Sequence, residues 1–98
     1  MEVQFERSGG FAGIVQRYSA SLESLPEEEQ RKLQELITNA HFFDQPSVMQ
    51  APSSADHLQY KIFISSGQQS HEVRVDQGAV PAELQPLIAW LQAAARKH

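Results

Sequence analysis

The stretch LQYKIFISSGQQSHEVRVD, residues 58–76, decides the fold class. Apolar residues recur at every second position in two runs, which is the spacing of β-strands that bury one face. The first run predicts a strand over Leu58–Ser65, and the second predicts a strand over about Ser70–Asp76, with turn-forming residues 66–69 between them. Alternation this regular is typical of an antiparallel sheet that is covered on one face.

The N-terminal residues predict two further strands of the same kind. Alternation over Glu2–Arg7 predicts the first, and a less regular pattern from about Ile14 to Leu22 predicts the second. Between them, Ser8-Gly9-Gly10 interrupts the strand pattern. Adjacent glycines reach positive φ angles at little cost, as a hairpin turn requires. We therefore predict a β-hairpin at the N-terminal end of the domain.

A helix is predicted after each pair of strands. The first has the start signal of a capping box, in which Ser24 caps the helix and Glu27 follows three residues later. Apolar residues then recur at helical spacing, and Asn39 is the expected C-terminal stop. The second helix either begins at Pro86, after a short turn over Pro81–Gln85, or contains Pro86 within its first two turns, since proline cannot lie deep inside a helix.

The order ββαββα predicts an α+β fold. We expect a four-stranded, mainly antiparallel sheet with two helices packed on one face, in a single domain over residues 1–98. The longest irregular stretch, Asp44–Asp56, contains Pro46 and Pro52. We predict a long loop there rather than a domain boundary, because neither side has enough residues to form a core alone.

Composition and charge exclude several classes of protein. The net charge of −4 at pH 7 argues against polyanions, so we expect no nucleic acid and no membrane among the partners. The sequence contains no cysteine, which excludes disulfides and thiol chemistry. No apolar run approaches the roughly 20 residues that span a bilayer. The N-terminal residues show no secretory signal, so the expected location is cytoplasmic.

No group of residues in the sequence has the spacing of a catalytic or metal site. The histidines include no i,i+4 pair of the kind that holds zinc on a helix: they are His41, His57, His71 and His98. There is no Gly-x-Ser-x-Gly elbow, and the stretch Gly9–Gly13 lacks the Gly-Lys-Ser/Thr ending of a phosphate-binding loop. The favourable charge at a helix N-terminus explains the run Glu27–Glu29. We therefore predict no catalytic residue, no metal and no cofactor.

Two aromatic residues and the basic residues of the strands bear on binding. Phe11 is flanked by small residues, so it is either held out for a partner or folded back over the end of the sheet. Trp90 lies off the main apolar stripe of the last helix, where we favour packing over an interface role. No compact basic patch is expected from the basic residues spread over the strands: they are Arg7, Arg17, Lys61 and Arg74.

The segment FERSGGFAG, residues Phe5–Gly13, resembles the emfourin family. The likeness continues along the chain through Leu25-Pro26, Phe42-Phe43, Tyr60-Lys61-Ile62 and the LIAWL of residues 87–91. The resemblance implies a bacterial, non-enzymatic protein that inhibits thermolysin-like zinc metallopeptidases. Its implied partner is a thermolysin-like metallopeptidase such as protealysin, and we expect a monomer in the free state.

A physical hypothesis for the site follows if the N-terminal hairpin turn enters the cleft of such a peptidase. The expected protease-binding residues are consecutive: Ser8, Gly9, Gly10, Phe11, Ala12 and Gly13. Phe11 would fill the apolar subsite beyond the scissile bond, while the Ser8 hydroxyl or flanking carbonyl oxygens would approach the zinc ion. A competing surface is the Gln45–Asp56 loop, with Val48 and Met49 as its apolar anchors.

An alternative function comes from a different class of protein. The chain would then be a non-catalytic adaptor or accessory protein that binds another cytoplasmic protein. It would do so through the open sheet face or through an edge strand.

Overall fold

The computed structural model describes residues 1–9, 15–49 and 58–96. These residues form five β-strands and two α-helices. The strands are β1 (Glu2–Ser8), β2 (Gln16–Ser21), β3 (Val48–Met49), β4 (Gln59–Ser66) and β5 (Gln69–Asp76), and the helices are α1 (Glu27–Asn39) and α2 (Gln85–Arg96). Single 3₁₀ turns lie at Leu22–Ser24, Phe42–Asp44, Gln77–Ala79 and Ala82–Leu84.

The strands form one sheet in the order β2-β1-β4-β5-β3. All neighbouring strands are antiparallel except β3, which runs parallel to β5. The register sets Phe5 of β1 opposite Tyr18 of β2 and opposite Ile62 of β4. Gly67 closes the β4–β5 hairpin with a φ of 57°, a left-handed conformation that glycine adopts without strain. The mixed α+β class and the four predicted strands are therefore confirmed, with ends shifted by one or two residues.

The prediction of a four-stranded sheet is wrong by one strand. Val48–Met49 forms a fifth strand inside the stretch that was expected to be a long loop. The strand is only two residues long, so it has no alternation to detect, and its pairing to β5 holds it. One backbone hydrogen bond of this contact runs from the Arg74 N–H to the Ser47 carbonyl oxygen at 2.8 Å. Residues 50–56 of that stretch lie outside the described residues.

Both helices pack on the same face of the sheet, which we call the covered face. Its strand residues join those of the helices in one core, and they include Val3, Phe5, Tyr18, Tyr60, Ile62, Ile64, Val73 and Val75. The helices contribute Leu33, Leu36, Ile37, Leu87, Ile88 and Leu91. Burying one such side chain fully contributes about 1.5–3 kcal/mol. The other face, which we call the open face, carries Gln4, Glu6, Arg17, Ser19, Lys61, Phe63, Glu72 and Arg74.

The predicted capping box of the first helix is wrong. The N-cap position is Pro26, which offers no side-chain hydrogen bond, and Ser24 belongs to the preceding 3₁₀ turn. The Ser24 hydroxyl donates to the Ser21 carbonyl oxygen at 2.7 Å instead. This extra turn inserts Leu22 into the core, where it is 2% exposed, and burial of that side chain outweighs a cap worth about 1 kcal/mol. The predicted end at Asn39 is confirmed.

The second helix combines the two predicted alternatives, because it follows a short turn but begins at Gln85 and contains Pro86 in its first turn. A short turn over Ala82–Leu84 precedes α2, and Pro86 is the second helical residue, where it breaks no hydrogen bond. The Trp90 ring contacts Tyr18 edge to face, with ring centroids 6.0 Å apart, and is partly buried against the core. The predicted packing role of Trp90 is therefore confirmed. Among the described residues, neither helix has the length and apolar content that crossing a membrane requires.

Candidate functional site

Both candidate binding segments attach to the same end of the sheet, which we call the loop end. β1 ends there at Ser8, β4 begins there at Gln59 and β5 ends there at Asp76, because these three residues are paired in register. β2 begins beside them, and β3 points toward the same end because it runs parallel to β5. The strands next to the predicted Ser8–Gly13 site and those next to the competing Gln45–Asp56 surface therefore meet at the loop end.

The structure places the first two of the predicted protease-binding residues. Ser8 is the last residue of β1 and is paired with Gln59 of β4. Gly9 follows with a φ of 108°, a backbone conformation that favours glycine, as the sequence predicted for this turn. The other four predicted residues lie outside the described residues: they are Gly10, Phe11, Ala12 and Gly13.

Side-chain contacts tie the two ends of the N-terminal hairpin together. Arg7 of β1 lies opposite Gln16 of β2, and its Nη1 donates to the Gln16 Oε1 at 3.2 Å. The Arg7 Nε is buried and has no hydrogen-bond partner among the described residues. On the adjacent strand, the Tyr60 ring stacks on Phe5 and its hydroxyl oxygen accepts a hydrogen bond from the Gln92 Nε2 at 3.2 Å. These contacts fix the positions from which the hairpin turn leaves the sheet.

The segment that precedes β4 is held in a similar way. The Gln59 Nε2 donates to the Asp76 Oδ1 at 3.1 Å, and the Gln77 N–H donates to the Leu58 carbonyl oxygen at 2.9 Å. Asp76 is only 2% exposed. Sequence alternation does not reveal the contact with Gln59, because that contact depends on the pairing of β4 with β5.

The two apolar anchors of the competing surface point in different directions. Val48 is 56% exposed at the edge of the sheet. Met49 is partly buried and packs against the core. Of this predicted pair, Val48 is therefore the residue that can serve as an external contact, while Met49 attaches the strand.

Two histidines are described, His41 and His71, and neither is part of a metal-binding group. The His71 Nε2 lies 2.7 Å from the Gln45 carbonyl oxygen, and since a carbonyl oxygen can only accept, this nitrogen carries the proton. The His71 ring also meets Phe42 edge to face. His41 is exposed and has a positive φ of 50°, just after α1. The described residues contain no group of three or more His, Asp or Glu side chains arranged to hold a metal ion.

A lowered carboxyl pKa occurs at the opposite end of the sheet from the loop end. Hydrogen bonds from the N-terminal ammonium of Met1 and from the Ser21 hydroxyl lower the pKa of Glu23 to about 2. Burial and the nearby charge of Glu29 raise the pKa of the Tyr18 hydroxyl. Neither group lies in a cluster that suggests acid–base catalysis, because Glu23 is exposed and paired and Tyr18 belongs to the core.

Three of the basic residues share one row of the open face, but carboxylates lie among them and pair with two of them, which agrees with the expectation of no compact basic patch. Arg17, Glu6, Lys61 and Arg74 are consecutive cross-strand partners on β2, β1, β4 and β5. We call these four residues the charged row. Neighbouring strands are about 4.8 Å apart, so four charged residues that are distant in sequence lie side by side, with Glu6 between Arg17 and Lys61. Single-strand patterns do not reveal such a row, because it depends on the strand order and register.

The comparison with family profiles agrees with the resemblance seen in the sequence. The emfourin family profile matches residues 5–92, which is nearly the whole chain. The protein therefore belongs to the emfourin family. No curated protein and no solved structure gave a significant match to the chain.

Proposed function

We propose that the protein inhibits thermolysin-like zinc metallopeptidases by tight, reversible binding in their active-site cleft. Membership of the emfourin family, which is a family of protein inhibitors, is the observation that carries this proposal. It agrees with the described residues, which contain no metal-binding group of their own. The protein would act as a ligand of the enzyme, and the zinc ion would be that of the peptidase.

The proposed contact is the segment Ser8–Gly13 at the loop end of the sheet. Support comes from its two attachment points, since the segment leaves β1 and returns to β2 on adjacent, paired strands. The Arg7–Gln16 hydrogen bond links these strands at their last pair. Attachment points that are already fixed before binding reduce the conformational entropy that association must remove. A cleft-filling segment on such a base favours tight binding.

Phe11 is proposed as the anchor of this contact. It would fill the apolar subsite of the peptidase that accepts a bulky residue beyond the scissile bond. The Ser8 hydroxyl or a flanking carbonyl oxygen would approach the zinc ion or displace its water. Interface energy is commonly concentrated in a few buried side chains, and aromatic anchors are prominent among them.

Inhibition titrations test this proposal with a pair of variants. Purified protein is added to a thermolysin-like peptidase, and residual activity is followed on a small peptide substrate, with papain-like and trypsin-like enzymes as controls. We expect stoichiometric loss of activity in the metallopeptidase alone. Full activity at a large excess of protein would contradict the proposal and would favour an adaptor role.

The variant pair Phe11→Ala and Val48→Ala distinguishes the two candidate surfaces. Both substitutions truncate an apolar side chain, but Val48 lies on the competing segment and is exposed. We expect Phe11→Ala to weaken inhibition by about 2–4 kcal/mol, the scale of an interface hot spot, and Val48→Ala to have little effect. The reverse ranking would move the proposed anchor to the other segment.

A further inference from the structure

We propose that the peptidase contact extends from the segment Ser8–Gly13 onto the neighbouring edge of the sheet at β2, and that Val15 is its second apolar anchor. This inference rests on the proposed inhibitor function and adds a specificity-determining residue to it. Val15 lies outside the predicted site, immediately before the first residue of β2, and it belongs to the described residues.

The segment Ser8–Gly13 is too small to form a stable interface by itself. A standard protein–protein interface buries about 800 Å² and involves roughly 20–30 residues on each partner. The segment has six residues, of which three are glycines and one is alanine. Phe11 is its one large apolar side chain, and an aromatic residue buries at most about 250 Å². Tight binding therefore requires further contacts from residues beside the segment.

Val15 is an exposed apolar residue that is placed to supply such a contact. Its exposed fraction is 49%, and the only other exposed large apolar side chain among the described residues is that of Val48. Consecutive Cα atoms are about 3.8 Å apart, so the Cα of Val15 lies within about 7.6 Å of the Cα of Gly13. A partner that holds Ser8–Gly13 therefore comes close to Val15.

The backbone beside Val15 is held in place before binding. The next residue, Gln16, is paired with Arg7 of β1, and the Arg7 Nη1 donates to the Gln16 Oε1 at 3.2 Å. A valine side chain is stiff because it is branched at Cβ, so burying it orders few additional degrees of freedom. Such a contact loses little conformational entropy on association.

The first charged residue after Val15 already has an ionic partner. Arg17 lies two residues later on β2, and its Nε is 3.2 Å from the Glu6 Oε2 across the strand pair. An apolar contact beside an unpaired charge would have to remove water from that charge, which costs free energy. Because Arg17 is paired with Glu6, a partner can cover Val15 without leaving an unpaired cation at the rim of the contact.

A partner centred on the Ser8–Gly13 segment covers the β2 edge of the sheet before the β3 edge. The segment joins β1 and β2, which are the first two strands in the order β2-β1-β4-β5-β3, and no described strand lies beyond β2. Four strand intervals of about 4.8 Å place Val48 of β3 about 19 Å from β2 across the sheet. Val48 is the same residue type and is 56% exposed. It is therefore a matched control for Val15.

Inhibition titrations with matched variants of the two valines test the inference. We expect Val15→Ala to raise the inhibition constant for a thermolysin-like peptidase about five- to tenfold, because two methyl groups leave the contact. Val15→Thr keeps the branched shape but introduces a hydroxyl group that must lose water, so a rise of similar size is expected. Val48→Ala and Val48→Thr should each change the constant by less than about twofold. Urea unfolding confirms that all four variants are folded.

A thiol footprint separates a contact at Val15 from a purely structural role. The chain contains no cysteine, so Val15→Cys and Val48→Cys each introduce a single thiol. Its alkylation rate is measured by mass spectrometry of the inhibitor chain, free and bound to the peptidase. Because alkylation requires an accessible thiol, we expect binding to slow it about tenfold or more at position 15 and less than about twofold at position 48.

The outcomes distinguish a failure of this inference from a failure of the proposed function. If the wild type inhibits but the thiol at position 15 reacts equally fast in the free and bound states, the inference fails and the proposed function stands. Protection at position 48 as strong as at position 15, or a Val15→Ala variant that inhibits as well as the wild type, would also overturn the inference. If the wild type leaves the peptidase fully active, both fail.

Discussion

The two faces of the sheet carry opposite chemistry on the same strands. In β4, Ile62 and Ile64 are fully buried on the covered face, whereas Lys61 and Phe63 between them face the open side. The covered face supplies the apolar contacts that stabilise the fold. The open face contributes little to the core, so its residues are free to serve recognition. This contrast separates substitutions that should unfold the protein from those that should change only what it binds.

The largest expected effect comes from a direct comparison of neighbours in β4. Ile62→Ala removes a side chain with 0% exposure from the centre of the core, and should lower the free energy of unfolding by about 2–5 kcal/mol. Lys61→Ala, one residue away, should change it by no more than about 0.5 kcal/mol. Urea unfolding measures both. Equal losses for the two variants would contradict the assignment of the faces.

A smaller effect is expected where the covered face holds a charged group. Gln16→Ala removes the hydrogen-bond acceptor of the Arg7 guanidinium, whose Nε is already buried without a partner in the described part of the chain. We expect a loss of about 1–2 kcal/mol in unfolding free energy, because a partly buried charged donor is left unpaired. Gln4→Ala, on the open face, is the matched control. A loss as large for Gln4→Ala would show that the Arg7 contact has no special role.

The charged row predicts a salt-dependent effect on stability. Glu6→Gln removes the one carboxylate of the row and leaves Arg17, Lys61 and Arg74 without it. We expect a loss of about 0.5 kcal/mol at low salt that disappears near 1 M salt. Glu35→Gln, exposed on α1, is the control and should show no such trend. A salt-independent loss at Glu6 would contradict the electrostatic explanation.

The smallest effect concerns the end of the sheet opposite the loop end. The pKa of Glu23 is lowered from 4.5 to about 2 by the Met1 ammonium and the Ser21 hydroxyl. A folded-state pKa below the unfolded value adds stability that is present above about pH 4.5 and is lost as the pH falls toward 2. Glu23→Gln should therefore be less stable than the wild type at pH 7, with the difference vanishing near pH 2. A difference that does not depend on pH would contradict the pairing.

Much of the covered face is predictable from the sequence. Alternation identified β1, β2, β4 and β5, and helical spacing identified α1 and α2, because burial of one face imposes a period on each element separately. The two-residue strand β3 has no period, so only its pairing with β5 reveals it. The capping signal at Ser24 failed because burial of Leu22 in an additional turn outweighs the cap.

The candidate site is less predictable, because it depends on which strands become neighbours. The sequence singled out the Ser8–Gly13 segment and the correct conformation at Gly9. It did not reveal that β3 ends and β4 begins at the same end of the sheet, which follows from the strand order and directions. It also did not reveal the charged row, whose members come from four strands and meet only through register.

The central claim is that the protein occupies the active-site cleft of a thermolysin-like peptidase, and a competition experiment tests it most directly. Binding of the protein to the purified peptidase is measured by calorimetry, with the cleft either free or filled by a small zinc-binding hydroxamate. The account predicts tight one-to-one binding to the free enzyme that is lost when the cleft is filled. Unchanged affinity for the filled enzyme would contradict it.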